Sequence, residues 1–179
     1  MKLLEETVDS QVVYRGVIVD VRLDHARLVN GRIAKREVVE HPGGVAVLPL
    51  HDDGTVSVVR QFRYPFMQVV AELPAGKLER GEDPRLAALR ELEEEVGLRT
   101  GELIDLGVLY TSPGFSTEVL HMYLARKLRQ GEAHPDEDEF LQGERVPLET
   151  LLEQVMDGTL VDAKTVALVL KAARFLQTE

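Results

Sequence analysis

The sequence contains no cysteine and no tryptophan. Without cysteine there can be no disulfide framework, thiolate zinc site or cysteine nucleophile. Aromatic residues are scarce: four tyrosines and five phenylalanines leave few platforms for stacking on a base. Positive charge is in deficit, with 21 Lys and Arg against 31 Asp and Glu, a formal net charge of -10. That balance argues against general nucleic-acid binding, which needs clustered cations on the phosphate backbone. No uninterrupted apolar run approaches the roughly 20 residues that cross a bilayer. The N-terminus, Met1 to Glu6, is acidic and lacks the apolar core of a signal peptide. Together these absences point to a soluble cytoplasmic protein. There is no P-loop and no G-x-S-x-G elbow. The five histidines, His25, His41, His51, His121 and His134, are not spaced as a zinc site and read as structural.

What is present supports a folded chain. Apolar residues make up 44% of the composition, enough for a core. The length suits one domain of ordinary size, or one with a small appendage. Residues 1–40 hold seven basic and seven acidic side chains, so the whole acidic excess lies in residues 41–179. An anion bound there needs a local basic patch or a bridging metal cation. Residues 12–22 are rich in Val and Ile and predict a strand. Residues 25–29 and 32–40 predict two more, joined at Asn30-Gly31, a strong hairpin signal. This N-terminal β-rich region, residues 1–40, ends near His41-Pro42-Gly43-Gly44, and a second domain is expected over residues 41–179. Its strand candidates are 44–50, 55–60, 67–73, 103–111, 118–128 and 140–146. Helices are expected over 84–96, roughly 148–157, and 163–177, the last turning Val166, Leu170, Ala173 and Phe175 or Leu176 toward a core. The class is α/β, a mixed sheet packed between helices.

The helix over 84–96 is the most informative segment. Asp83 suits an N-cap, Pro84 the first helical position and Gly97 the C-terminal cap. Leu89, Leu92 and Val96, with Ala88, form a core-facing stripe. Glu91, Glu94 and Glu95 share another face, and Glu82 lies just ahead of the first turn. Read alone, such a face is solvated surface. The alternative is a hard divalent cation, since Mg²⁺ takes oxygen ligands and bridges to phosphates.

The register against the preceding loop decides between the two. Gly76 is followed at fixed spacing by Glu82 and then by Arg90-Glu91-Leu92-Glu93-Glu94-Glu95-Val96-Gly97-Leu98. This resembles the Nudix box, G-x5-E-x7-R-E-U-x-E-E-x-G-U with U a bulky aliphatic residue, and every specified position matches. The resemblance implies a Nudix α/β/α sandwich that hydrolyses substituted nucleoside diphosphates with Mg²⁺ or Mn²⁺ as cofactor. It makes Glu91 and Glu95 metal ligands, Glu94 a further one, and Arg90 the group that holds Glu82 or a neighbouring carboxylate in place.

Three flanking segments resemble the ADP-ribose pyrophosphatase subfamily. Glu72-Leu73-Pro74-Ala75-Gly76 is similar to its E-x-P-A-G motif, which implies a metal ligand in the Ala75 carbonyl and a substrate-binding role for Glu72. Ser112-Pro113-Gly114-Phe115 follows the box with Pro113 at the marker distance, which brings Gly114 and Phe115 to substrate. Arg60-Gln61-Phe62-Arg63 is similar to a Q-[YF]-R segment, which makes Arg63 a phosphate or ribose contact. Taken without the resemblance, Arg60 and Arg63 are equally edge charges, and Pro74 and Pro113 ordinary turn residues. Residues 132–144 hold six acidic side chains and no basic one. By composition they are a solvated loop. By resemblance they supply Glu137 as the base and Glu139 as a metal ligand, with the order of the two roles open, on a segment suited to closing over substrate. Tyr14, Phe62, Tyr64 or Phe115 offers a ring to adenine. Relatives with an added β-rich N-terminal region commonly form homodimers, which implies a homodimer here and makes Arg15, Arg36 and Glu37 nucleoside contacts, in trans if the region reaches across. The alternative is that these strands merely extend the sheet.

The expected reaction is ADP-ribose plus water to AMP and ribose 5-phosphate. The alternatives are another nucleoside diphosphate sugar as substrate, or a Nudix-fold sensor that binds such a ligand without cleaving it. No nucleic acid and no membrane is expected as a partner.

Overall fold

The structure is a computed structural model, and it describes residues 3–134 and 140–178. The chain divides into two compact units, residues 1–43 with 110–119, and residues 44–109 with 120–179.

The first unit is a three-stranded antiparallel meander of β1 (Glu6–Arg15), β2 (Asp20–Arg27) and β3 (Ile33–Glu40), in the order β1-β2-β3. The run over 12–22, expected as one strand, is two. The chain turns at Gly16, whose N–H donates to the Val19 carbonyl at 3.0 Å, so Val12 ends up opposite Arg22. Val and Ile are common on both sides of that turn, and composition alone therefore hides it. The Asn30-Gly31 hairpin forms as expected, with Gly31 at φ 82° and the Leu28 N–H donating to the Arg32 carbonyl at 2.8 Å. The segment 112–117 joins β3. The Val39 N–H donates to the Phe115 carbonyl at 2.7 Å, and the Thr117 N–H to the Val39 carbonyl at 3.0 Å.

The second unit is built on two sheets. One is antiparallel, ordered β10-β5-β6, from β10 (Leu141–Pro147), β5 (Thr55–Arg63) and β6 (Gln68–Glu72). The other is mixed, ordered β7-β4-β9-β8, from β7 (Ala75–Lys77), β4 (Gly44–Pro49), β9 (Val119–Gln130) and β8 (Leu98–Tyr110). β4 and β9 run parallel, with Gly44 opposite Leu120 and Pro49 opposite Ala125. All six residues of β4 are buried, and the pleat divides them. Val45 and Val47 join Ala87, Ala88 and Leu92 of α1 (Pro84–Val96) and Tyr123 of β9. Ala46 and Leu48 face the other way, onto Leu151 of α2 (Leu148–Asp157) and Leu168, Val169 and Ala172 of α3 (Ala163–Leu176). Helices thus cover both faces of one strand, which makes the expected α/β/α sandwich. Each fully buried Leu or Val in these clusters contributes about 2 kcal/mol.

Other details also depart from expectation. α3 presents Thr165, Leu168, Val169 and Ala172 inward, while Leu170 is 42% exposed. Its apolar residues are too numerous for periodicity alone to choose the face. The three-residue strand β7 and a 3-10 turn over Tyr64–Phe66 were not anticipated, being too short to show a period. No helix among the described residues is long and apolar enough to cross a membrane.

α1 keeps the boundaries its caps dictate. The Asp83 carboxylate accepts from the N–H groups of Arg85 and Leu86 at 2.8 and 3.2 Å. Gly97 closes the helix at φ 63°, its N–H donating to the Glu93 carbonyl at 2.9 Å. A side chain there would also strike returning backbone, with Ala133 N 2.7 Å and Glu132 C 2.8 Å from a Cβ. Gly97→Ala is therefore expected to lower the unfolding free energy by roughly 1–3 kcal/mol, from left-handed strain and displaced backbone. Urea denaturation of the two proteins measures the difference.

Candidate active site

The site is assembled where the β6–β7 corner meets α1. Gly76 of β7 lies so close to the helix that a Cβ placed on it would stand 1.9 Å from Oε1 of Glu91. Only glycine leaves room for that carboxylate. One turn further on, Oε2 of Glu95 accepts from the Ala75 N–H at 3.1 Å. Both carboxylates are buried, Glu91 at 8% and Glu95 at 7% exposure. Burying a carboxylate costs several kcal/mol unless charge and hydrogen bonds compensate it.

Arg90 supplies the charge. Its Nε and Nη2 donate to Oε1 and Oε2 of Glu82 at 3.0 and 3.1 Å, while Nη1 donates to Oε1 of Glu91 at 2.7 Å and Oε2 of Glu94 at 2.9 Å. Nη2 also reaches the Lys77 carbonyl at 3.3 Å. The hydrogen bond Arg90 donates to Glu82, with Glu91 and Glu94 beside it, raises the guanidinium above its ordinary pKa. The same contact from Arg90 lowers the Glu82 carboxyl. The expectation that Arg90 restrains Glu82 or a neighbouring carboxylate understates the arrangement, for it gathers three.

The corner has a second cation network. Glu72 is buried, its side chain 3% exposed, and takes a bidentate pair from Arg63, Nε to Oε1 at 2.6 Å and Nη2 to Oε2 at 2.7 Å. Lys164 of α3 donates to the same Oε2. Burial would raise the Glu72 carboxyl, but the hydrogen bond from Arg63 and the charge of Lys164 outweigh it and hold the carboxyl below its usual range. Arg60, by contrast, pairs across the sheet with Glu144 of β10 at 2.8 Å, as an edge charge does.

The second unit therefore brings together Arg63, Glu72, Ala75, Glu82, Arg90, Glu91, Glu94 and Glu95. The other expected contacts lie in the first unit. Arg15 and Glu37 are exposed, and Arg36 is held bidentate by Glu5, Nε at 2.9 Å and Nη2 at 2.7 Å. Gly114 is exposed, and Phe115 is 56% exposed, its backbone pinned to β3. Glu137 and Glu139 lie outside the described residues. The chain ahead of them is described: the Gly131 N–H donates to the Gly97 carbonyl at 2.7 Å and the His134 N–H to the Glu94 carbonyl at 2.9 Å, so the acidic stretch begins against the last turn of α1.

Three residues of the site were missed. Lys164 and Thr165 reach the corner from 92 residues away, Lys164 to Glu72 and Thr165 to Leu73, and Asp162 accepts from both of them. No spacing rule links positions so remote. Only the Asp162 cap, which accepts from the Thr165 N–H at 3.0 Å, had a local signature.

As for a metal, the donor set is all oxygen, which suits a hard divalent cation. Among the described residues no three carboxylates are already arranged to hold a metal ion; those of Glu82, Glu91 and Glu94 close on Arg90 instead. A carboxylate-bearing helix fitted against a glycine corner in a mixed α/β/α sandwich is the arrangement that the resemblance to the Nudix family implies. Comparisons with known proteins agree. The NUDIX domain matches residues 40–169, and the nucleoside diphosphate sugar hydrolase N-terminal domain matches residues 5–39. The chain belongs to the Nudix family of hydrolases, whose members generally require a divalent metal cation. It is 44% identical over 168 residues to an ADP-ribose pyrophosphatase of Bacillus subtilis (strain 168), covering 92% of this chain and 91% of that one. It is 42% identical over 181 residues to a methanol dehydrogenase activator of Bacillus methanolicus, covering 99% and 96%. A crystal structure of an ADP compounds hydrolase superposes with a TM-score of 0.87 at 22% identity, over 99% of this chain and 97% of that one, and so shares the fold.

The Glu72 network fixes a pH dependence. Its folded pKa lies below the ordinary 4.5, so its contribution to stability is present above about pH 4.5 and is lost as pH falls through the lowered folded value. Glu72→Gln is expected to destabilise the protein by about 3 kcal/mol at pH 7, because two cations lose their buried partner. It should also flatten the fall in stability below pH 4.5. Chemical denaturation of both proteins across pH 3–7 checks both effects.

Proposed function

We propose that this Nudix hydrolase cleaves the pyrophosphate of ADP-ribose, giving AMP and ribose 5-phosphate, with Mg²⁺ as cofactor and Mn²⁺ as a substitute. The observation that carries the reading is the pair of buried carboxylates, Glu91 against Gly76 and Glu95 on the Ala75 N–H. Two buried anions fixed on one helix face by a glycine corner suit metal-assisted diphosphate chemistry better than surface solvation. Glu91, Glu94, Glu95 and the Ala75 carbonyl would hold the cation. When bound, it neutralises the diphosphate and acidifies the attacking water. Arg90 keeps the carboxylates in position, and Arg63, oriented by Glu72, faces a phosphate or the terminal ribose. Addition of water forms one P–O bond and breaks the bridging P–O bond. The proton of the water passes to Glu137, with Glu139 as a further metal ligand. The choice of ADP-ribose over another nucleoside diphosphate sugar rests on the named Bacillus subtilis relative. Two relatives of nearly equal identity carry different names, so a substrate panel is the deciding measurement.

Residues 1–40 act as a dimerisation region and residues 41–179 as the catalytic domain, in a cytoplasmic homodimer. All ten residues of β1 are exposed, among them Val8, Val12, Val13 and Tyr14, an apolar surface that a second copy would cover. Arg15, Arg36 and Glu37 then contact the nucleoside, and Gly114 and Phe115 lie against the substrate.

Purified protein with Mg²⁺ is expected to release phosphomonoester from ADP-ribose faster than from hexose nucleotides. Binding without release identifies a sensor, and no release from any nucleotide sugar refutes the hydrolase reading. Glu91→Gln and Gly76→Ala are each expected to lower kcat by at least about a hundredfold with the fold retained, as loss of a ligand and of its seat. Near-normal turnover in either removes the metal-ligand assignment. Of Glu137→Gln and Glu139→Gln, the variant that loses turnover while keeping metal affinity marks the base.

A further inference from the structure

The corner that carries Ala75 into the site is not held by its own strands alone. Leu73 is fully buried, and its N–H donates to Oγ1 of Thr165 at 2.9 Å. Thr165, itself 0% exposed, donates the same hydroxyl to Oδ2 of Asp162 at 2.6 Å. Oδ1 of Asp162 accepts from Lys164 at 3.0 Å, and Lys164 also donates to Glu72. One residue beyond Leu73, the Pro74 carbonyl accepts from the Val47 N–H at 2.9 Å, and the next residue, Ala75, donates to Glu95. The first turn of α3 thus grips Glu72 and Leu73, the first half of the corner, and Ala75 at its far end grips Glu95.

We propose that Thr165 and Lys164 are positioning residues for the metal site, fixing the Glu72–Ala75 corner so that the Ala75 backbone and the Glu95 carboxylate keep the spacing a divalent cation needs. This rests on the proposed function. The chemistry is specific to the side chains present. A threonine hydroxyl accepts from one group and donates to another, whereas an isosteric valine does neither and leaves the buried Leu73 N–H without its partner. Lys164 is 13% exposed and joins two carboxylates on separate segments, Glu72 on β6 and Asp162 at the α3 cap. Outer groups of this kind orient metal ligands, and their loss weakens metal affinity by roughly 10–100-fold.

The test is direct Mn²⁺ binding to the full chain, by calorimetry and by the spin-resonance signal of free Mn²⁺, alongside Tm. Thr165→Val is expected to raise the Kd for Mn²⁺ about tenfold, and Thr165→Ser to restore it. Lys164→Met should move Kd in the same direction, with Lys164→Arg recovering part of the loss. Leu168→Ala, a cavity in the same helix, should lower Tm while leaving Kd within about twofold, which separates positioning from general loosening. Wild-type Kd in Thr165→Val overturns the proposal, as does an equal rise in Leu168→Ala. If Thr165→Val does not fold, Lys164→Met decides alone, and an unchanged Kd there overturns the proposal. Wild-type protein that binds Mn²⁺ and hydrolyses ADP-ribose while both variants bind normally overturns this inference only. Wild-type protein that does neither overturns the proposed function as well.

Discussion

One guanidinium group makes the site possible. Glu82, Glu91 and Glu94 converge on Arg90, and without that cation three carboxylates beside an apolar core would repel one another and call for solvent. Arg suits the task because its planar fork presents donors in several directions and cannot lose its charge. The consequence reaches beyond α1. With Glu82 tied to the helix, the 77–83 loop is closed onto it, and with Glu91 tied down, Gly76 keeps its close approach. A helix that would be unfavourable as a bare acidic surface becomes a fixed array of oxygen donors.

A second constraint operates at the corner. Buried Glu72 requires two cations, and these come from segments that share no local sequence, Arg63 on β5 and Lys164 on α3. Meeting that requirement ties the antiparallel sheet, the corner and α3 to one another. The scaffold and the site are therefore not separable layers here, because the residues that close the core at Leu73 and Thr165 are neighbours of those that present Ala75 and Glu95.

The sequence was most legible where information is local. The caps Asp83 and Gly97 set the limits of α1, and the spacing from Gly76 to Glu95 pointed to the Nudix family, because glycine clearance and helical periodicity both act locally. Legibility failed where two answers had the same composition. Val and Ile on both sides of Gly16 disguise a turn, and the apolar wealth of α3 leaves its inward face undetermined, so Leu170, expected in the core, is at the surface. It failed again where partners are remote. Nothing near Lys164 announces Glu72, since an ion pair across 92 residues exists only once the fold has formed.

The parallel pairing of β4 with β9 also bears on how the protein comes to exist. Gly44 and Leu120 are 76 residues apart along the chain, and nothing between adjacent strands can stand in for that contact. The meander β1-β2-β3 closes through short turns and needs only neighbouring segments. During synthesis the meander can form early, whereas the central sheet must wait for β9 to be made. Until then, the all-apolar β4 lacks its long-range partner and is the stretch most in need of protection from association.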